Sequence, residues 1–155
     1  NTPGASRYAL GAAAATGEAG VPVMQAALEL ERYASSMMMP YCINIMGEHG
    51  KAMIPILINN LGRGNIEITG VSVACLRSIG VSAPILETLT QCLSDENVTM
   101  RREAARALGM YGTDARATLP ALSKLLNDAD AEVRATAAEA IRLIDPSALP
   151  EELRT

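Results

Sequence analysis

A helical pattern recurs along this chain with a period of 30 to 33 residues, and this recurrence constrains the fold more than any other feature. Five copies of the pattern each end at a glycine or an aspartate. The ending residues are Gly20, Gly50, Gly80, Gly112 and Asp145. A single helix pair cannot bury its own apolar face, whereas stacked pairs can. The period therefore predicts an array of stacked helical repeats.

Each copy reads as a first helix before the ending residue and a second helix after it. Positions 1, 4, 8 and 12 before the ending residue form one apolar stripe; the second copy has His49, Met46, Cys42 and Met38 there. The second helices carry apolar residues four apart and begin near a proline, which a first helical turn tolerates. The apolar pairs are Met24 and Leu28, Leu57 and Leu61, Leu89 and Leu93, and Leu122 and Leu126.

The predicted fold class is all-α, an α-solenoid (α/α superhelix) of about five stacked helix-pair repeats. No useful alternation with period two occurs, so no strand is expected. We expect one domain over residues 1–155, and the chain reads as a piece of a longer array. The alternative is that residues 1–5 and 147–155 are frayed caps. The predicted repeat units are 6–35, 36–65, 66–97, 98–130 and 131–155.

An aspartate followed six residues later by an arginine occurs twice, as Asp95 with Arg101 and Asp128 with Arg134. Each aspartate ends a Leu-x-Asp sequence, each arginine follows a hydrophobic residue, and Ala-Ala-x-Ala comes after each arginine. These motifs resemble HEAT repeats. More narrowly, they resemble the short bacterial HEAT-like repeats of the phycobilin-lyase type. The resemblance implies a ladder of ion pairs between neighbouring repeats, formed by these four residues. Earlier copies depart from the motif, so the ladder should fail in the N-terminal half.

The composition excludes several classes of protein. Hydrophobic residues make up 49% of the chain and charged residues 19%, which rules out disorder. The net charge of -4 and the absence of Trp and Phe disfavour nucleic-acid binding. No apolar run reaches the ~18 residues of a membrane span. The three cysteines form no disulfide framework, and reduced, buried thiols favour the cytoplasm without fixing the compartment.

Catalytic residues are scarce, and we predict no catalytic, cofactor-binding or metal-binding residue. His49 is the only histidine. Its place in the apolar stripe favours a packed, partly buried side chain over a catalytic base. No His-Glu dipeptide occurs, so the iron site of deoxyhypusine hydroxylase, which is also built of HEAT-like repeats, is excluded. In the run Met37 to Met39, Met38 is expected in the core.

A partner-binding surface follows from the resemblance and from charge. In HEAT proteins the second helices line the concave face, and we predict that a partner binds the surface that they line. Columns ten, six and three residues before each ending residue share one helical face opposite the apolar stripe. Arginines on this face favour an acidic or phosphorylated peptide; the alternative is a solvated, salt-paired face. The candidate residues are Arg77, Arg102, Arg106, Glu139, Arg142 and Asn44.

The predicted function is a non-enzymatic protein–protein interaction scaffold without a cofactor. Its partner would be another protein or further repeats of a longer parent chain, and self-association is an additional possibility. The alternative is an auxiliary subunit or cofactor chaperone of an enzyme, which needs a polar pocket near His49, Tyr41 and Glu48. Nucleic-acid binding is a third hypothesis and membrane binding is not expected.

Overall fold

The computed structural model describes residues 3–29 and 38–154, and every regular element in these ranges is helical. The predicted all-α fold class is therefore confirmed. The helices form two compact units, residues 1–80 and 81–155. The organisation as one domain stays a prediction.

Unit 1, residues 1–80, contains five described α-helices. They are α1 (Pro3–Ala15), α2 (Val21–Glu29), α3 (Met39–Met46), α4 (Ile54–Leu61) and α5 (Ile66–Ile79). Short 3-10 segments, Gly17–Gly20 and Gly47–Met53, connect α1 to α2 and α3 to α4. The helix α3 packs between α1 and α5, and α4 packs against α2 and α5.

Unit 2, residues 81–155, contains four described α-helices. They are α6 (Ala83–Cys92), α7 (Val98–Met110), α8 (Leu119–Leu125) and α9 (Ala131–Ile144). The helix α7 packs against α6 and α9, and α8 packs against α9. After α9 the chain continues in two 3-10 turns, and Leu149 between them is buried. The burial of Leu149 differs from the alternative in which residues 147–155 form a frayed cap.

The second helices form as predicted because a proline occupies the first turn of each and apolar residues follow at a spacing of four. Seven of the eight predicted core residues of these helices are buried. Leu126 is half-buried, and Leu125 takes the core position instead. Three first helices begin at a side chain that accepts a backbone N–H bond: Asn65, Asn97 and Asp130.

In the first two repeats, the glycine that follows the first helix is three residues earlier than predicted, at Gly17 and Gly47 instead of Gly20 and Gly50. Gly17 and Gly47, with φ of 60° and 55°, follow the ends of α1 and α3. Gly20 and Gly50 lie in the 3-10 segments, where the backbone passes close to the preceding helix. A Cβ on Gly20 would overlap the carbonyl oxygen of Ala13. Each segment therefore needs two glycines, one for its conformation and one for close packing.

This shift corrects two predictions. His49 does not lie in the apolar stripe; it follows the helix-ending Gly47 by two residues and is exposed. Met46 takes the position that Ile79, Tyr111 and Ile144 hold in later repeats. By the same shift Met39 is fully buried, whereas Met38 is half-buried.

The first helices α7 and α9 are parallel and pack very closely. A Cβ added to Gly109 would lie 2.9 Å from the Cα of Ala140, and one added to Gly112 would lie 3.9 Å from the carbonyl oxygen of Leu143. Both contacts join residues 31 apart, so the two helices run in the same direction. Gly109 thus sets the separation of the helices, because no side chain stands between the backbones.

We predict opposite effects for two glycine-to-alanine changes within helices. Gly109→Ala should lower the free energy of unfolding by about 1–3 kcal/mol, because the new methyl meets the backbone of α9. Gly70→Ala in α5 should raise it by about 0.5–1 kcal/mol, since a Cβ there has no atom within 4 Å. Urea unfolding followed by circular dichroism measures both, and equal effects would contradict the close approach at Gly109.

Candidate protein-interaction surface

An ion pair joins the two repeats of unit 2 at the N-terminal ends of their first helices. The Nε and Nη2 atoms of Arg101 on α7 donate to the two carboxylate oxygens of Asp128, which precedes α9, at 2.8 and 2.9 Å. The Arg101 guanidinium holds the pKa of Asp128 below its ordinary value, and a backbone N–H from Asp130 adds to the effect. The ladder expected from the resemblance is therefore present at this joint.

The arginine of each motif also holds the turn before its own helix. Nη1 of Arg101 donates to the carbonyl oxygens of Asp95 and Glu96 at 2.9 and 3.2 Å. Nη1 of Arg134 donates to those of Asp128 and Ala129 at 2.8 and 2.9 Å. Asp95 accepts the backbone N–H of Asn97. The contacts of Arg101, Arg134 and Asp95 therefore give these residues a structural role in positioning the repeats.

Unit 1 uses different polar contacts between its repeats. Asn60, which is fully buried in α4, donates from Nδ2 to the carbonyl oxygen of Leu28 at 3.3 Å. Arg63 donates to the carbonyl oxygen of Glu29 at 3.4 Å. Both acceptors lie near the end of the described part of α2. These contacts join the repeats of unit 1, which lacks the aspartate–arginine motif of unit 2.

The six candidate partner-binding residues all lie on first helices, which corrects their assignment to the surface of the second helices. The columns ten, six and three residues before each helix-ending residue fall within the first helix of the repeat, so none of their residues belongs to a second helix. Asn44 on α3 and Arg77 on α5 are exposed in unit 1. Arg102 and Arg106 on α7 accompany Glu139 and Arg142 on α9 in unit 2.

The three candidate arginines of unit 2 are paired with carboxylates of the same unit. The buried Glu103 accepts from Nε of Arg102 at 3.1 Å and lies 3.3 Å from Nε of Arg106. Arg102 also binds Glu132, and this pair connects α7 to α9. The hydrogen bond to Glu103 raises the pKa of Arg102.

Arg142 pairs with Glu139 one turn earlier and donates to the carbonyl oxygen of Leu153. The charge of these arginines is therefore largely balanced within unit 2. A strong attraction for an acidic peptide is consequently not the main property of the unit 2 face.

The exposed guanidinium of Arg77 in unit 1 differs from these arginines. It has no carboxylate within ion-pair distance among the described residues.

An apolar groove of about 350 Å³ lies between α7 and α9 on this face. Its floor includes Ala140, against which Gly109 packs. Met110 and Leu143 stand on its two sides with 41% and 54% of their surface exposed. The remaining lining residues are Arg106, Ala135, Thr136 and Glu139. The groove thus includes two of the predicted residues and combines apolar surface with one charge of each sign.

Sequence reasoning missed Met110 and Leu143, although a signal was present. With the helix ends placed as the structure has them, both lie two residues before the helix-ending residue, as does the exposed Ile45 of α3. This column lies outside the apolar stripe, so its large apolar side chains have no predicted core role. The sequence analysis assigns positions 1, 4, 8 and 12 to the core and positions 3, 6 and 10 to the exposed face, and it leaves position 2 unassigned.

A shallow depression of about 580 Å³ surrounds His49 in unit 1. It includes Glu18 and Glu48, but Tyr41 on α3 is not among its lining residues. Glu48 pairs with Lys51 at 2.6 Å, and this contact holds its pKa below the ordinary value. Within residues 3–29 and 38–154, no three His, Cys, Asp or Glu side chains are grouped as a metal site requires.

The comparison with known families decides what these repeats are. A family model described as HEAT repeats matches residues 54–142, more than half of the chain. The chain belongs to the HEAT-repeat family. No curated protein and no solved structure matched it. The narrower likeness to repeats of the phycobilin-lyase type stays a prediction.

HEAT repeats generally serve as protein-interaction scaffolds and are typically not enzymes. The match includes α7, most of α9 and all the lining residues of the apolar groove except Leu143. Among the described helices, none combines the length and apolarity that crossing a bilayer would take.

The cysteines of this HEAT chain lie in environments that suppress thiolate formation. Cys42 and Cys75 are fully buried, and Cys92 is half-buried. Burial raises the pKa of Cys75 to about 12, and it also raises the pKa values of Cys42 and Cys92. A thiol that remains protonated is a poor nucleophile and a poor metal ligand.

We therefore predict that native protein at pH 8 reacts slowly with a thiol reagent such as dithionitrobenzoate. Cys92 should react first because it alone is partly exposed, and Cys75 should react only after unfolding. Mass spectrometry of the labelled peptides identifies each site, with urea-unfolded protein as the control for three reactive thiols. Rapid labelling of Cys75 in native protein would contradict the assigned burial.

Proposed function

We propose that this chain is a non-enzymatic protein-interaction module that binds a protein partner through the first helices of unit 2. The observation that carries the proposal is the apolar groove between α7 and α9. Met110 and Leu143 are large apolar side chains, and they expose about half of their surface on an otherwise charged face. Exposed apolar surface with a polar rim is typical of protein-binding sites.

The contacts that join the two walls of the groove support this role. Its walls are two helices whose separation is set by the contact of Gly109 with Ala140 and whose N-terminal ends are joined through Arg101 and Asp128. A preformed groove loses little conformational entropy when a partner binds. The candidate residues Arg106 and Glu139 line it, while Arg102 and Arg142 hold the carboxylates beside it.

The proposal places the partner on the first helices and assigns a supporting role to the arginines. Removing Arg102 or Arg106 would leave the buried Glu103 with only one of its two charge partners, so a structural change would accompany any loss of binding. Leu143 is the sharper site for a test, because its exposed side chain extends from the wall of the groove.

We predict that Leu143→Lys reduces capture of the protein partner by about tenfold or more, because a charged side chain would be desolvated in the groove. The measurement is quantitative affinity capture from cell lysate on the immobilised chain. Val81→Lys is the matched control, since Val81 lies in the same unit, is 48% exposed and does not line the groove. Both variants should keep the circular dichroism spectrum of the wild type.

Equal capture by the wild type and both variants would place the binding surface elsewhere. Loss of capture in both Leu143→Lys and Val81→Lys, with folding intact, would show that a lysine outside the groove reduces partner capture as much as one within it. Either result would overturn the assignment of the groove.

A further inference from the structure

The groove between α7 and α9 is complementary to itself. Arg106 and Met110 stand on the α7 side, and Glu139 and Leu143 stand on the α9 side. On each side the charged residue precedes the apolar residue by four positions, which is about one helical turn. The two sides thus carry the same arrangement with opposite charge.

The direction of the helices decides which symmetric arrangement can use this complementarity. The helices α7 and α9 are parallel, and residues that meet are 31 apart, so Glu139 lies two residues, or ~3 Å, further along the groove than Arg106, and Leu143 lies equally far beyond Met110. Long side chains span an offset of this size. A twofold axis parallel to the groove would place the α7 side of one copy on the α9 side of another. Arg106 of each copy would then face Glu139 of the other, and Met110 would face Leu143.

Other arrangements lack this match. A twofold axis that crosses the groove at right angles, in the plane of contact, places the α7 side on the α7 side. That arrangement gathers the two Arg106 side chains on one side and the two Glu139 side chains on the other, without pairing opposite charges across the contact. The charge pattern therefore favours one symmetric dimer over its alternative.

The existing ion pairs fit the same arrangement. Arg106 and Glu139 expose 52% and 55% of their side chains, so each can accept a second partner. Arg106 is paired with Glu103, and Glu139 is paired with Arg142. Across the contact the charges would alternate as Glu103, Arg106, then Glu139 and Arg142 of the second copy. Such a network leaves no like charges adjacent.

We propose that the partner in this groove is a second copy of the chain, related by a twofold axis parallel to α7 and α9. This inference rests on the proposed function, because it names the occupant of the same groove. The apolar contact is small, which predicts a dimer that dissociates in the micromolar range rather than a permanent one.

The test uses charge exchange in the full chain, measured by sedimentation velocity over a range of concentrations. Wild type should show a monomer–dimer equilibrium. R106E and E139R should each weaken the dimer by about tenfold or more, because one substitution creates like-charge contacts at two symmetry-related places. K124E and E87R are matched controls for the change of charge, since Lys124 and Glu87 are exposed and lie outside the groove.

An equimolar mixture of R106E and E139R should restore the dimer, since both contacts between unlike copies again join opposite charges. Labelling one variant with a fluorophore allows the mixed dimer to be followed by anisotropy. The mixture also guards against misfolding as an explanation, because a chain that had not folded could not be restored by mixing. A double variant, R106E with E139R in one chain, again joins opposite charges across the contact and should associate more tightly than either single variant.

Three results would overturn the inference: a wild type that stays monomeric, single variants that dimerise as the wild type does, or a mixture that stays monomeric. A monomeric wild type whose capture of another protein still depends on Leu143 would leave the proposed function standing and remove only the second copy as the partner. If capture also failed to depend on Leu143, both would fail.

Discussion

The close contact of α7 with α9 is the constraint on which the rest of unit 2 depends. Gly109 has no side chain, so the backbones approach until Ala140 fills the space between them. At the N-terminal ends of the same helices, the ion pair of Arg101 with Asp128 fixes the position of α9 relative to α7. One apolar contact and one ion pair thus determine both separation and register, and the groove on the exposed side follows from them.

Unit 1 reaches the same helix-pair arrangement with different residues. Its 3-10 segments bring the chain close to the preceding helix at Gly20 and Gly50, and Asn60 and Arg63 donate to the carbonyl oxygens of Leu28 and Glu29. The repeat pattern therefore does not require one set of polar contacts. It requires that the carbonyl groups at the helix ends be satisfied and that small residues stand where backbones meet.

Much of this could be predicted from the sequence, because apolar spacing and proline positions respond to local geometry. Helix pairs and most core residues of the second helices were accessible in this way, whereas the ion pairing of Arg101 with Asp128 followed from the resemblance to HEAT repeats. The placement of His49 was wrong because Gly47 and Gly50 both suit a helix end in the sequence. Only the structure distinguishes them, since Gly50 packs against Ile43 as Gly20 packs against Ala13. Met110 and Leu143 lie outside the apolar stripe, which spacing could have shown. That both border one groove depends on how α7 packs against α9, which spacing within one helix does not describe.

The joint between the repeats of unit 2 is tested most directly by a double-mutant cycle on Arg101→Met and Asp128→Asn, measured by urea unfolding. We expect a coupling energy of about 1–2 kcal/mol at pH 7. Arg101 lowers the pKa of Asp128, so the coupling should persist above the ordinary value of 3.8 and disappear as the pH falls through the lowered pKa. Additive effects at pH 7 would contradict the claim that this ion pair holds the two first helices in register.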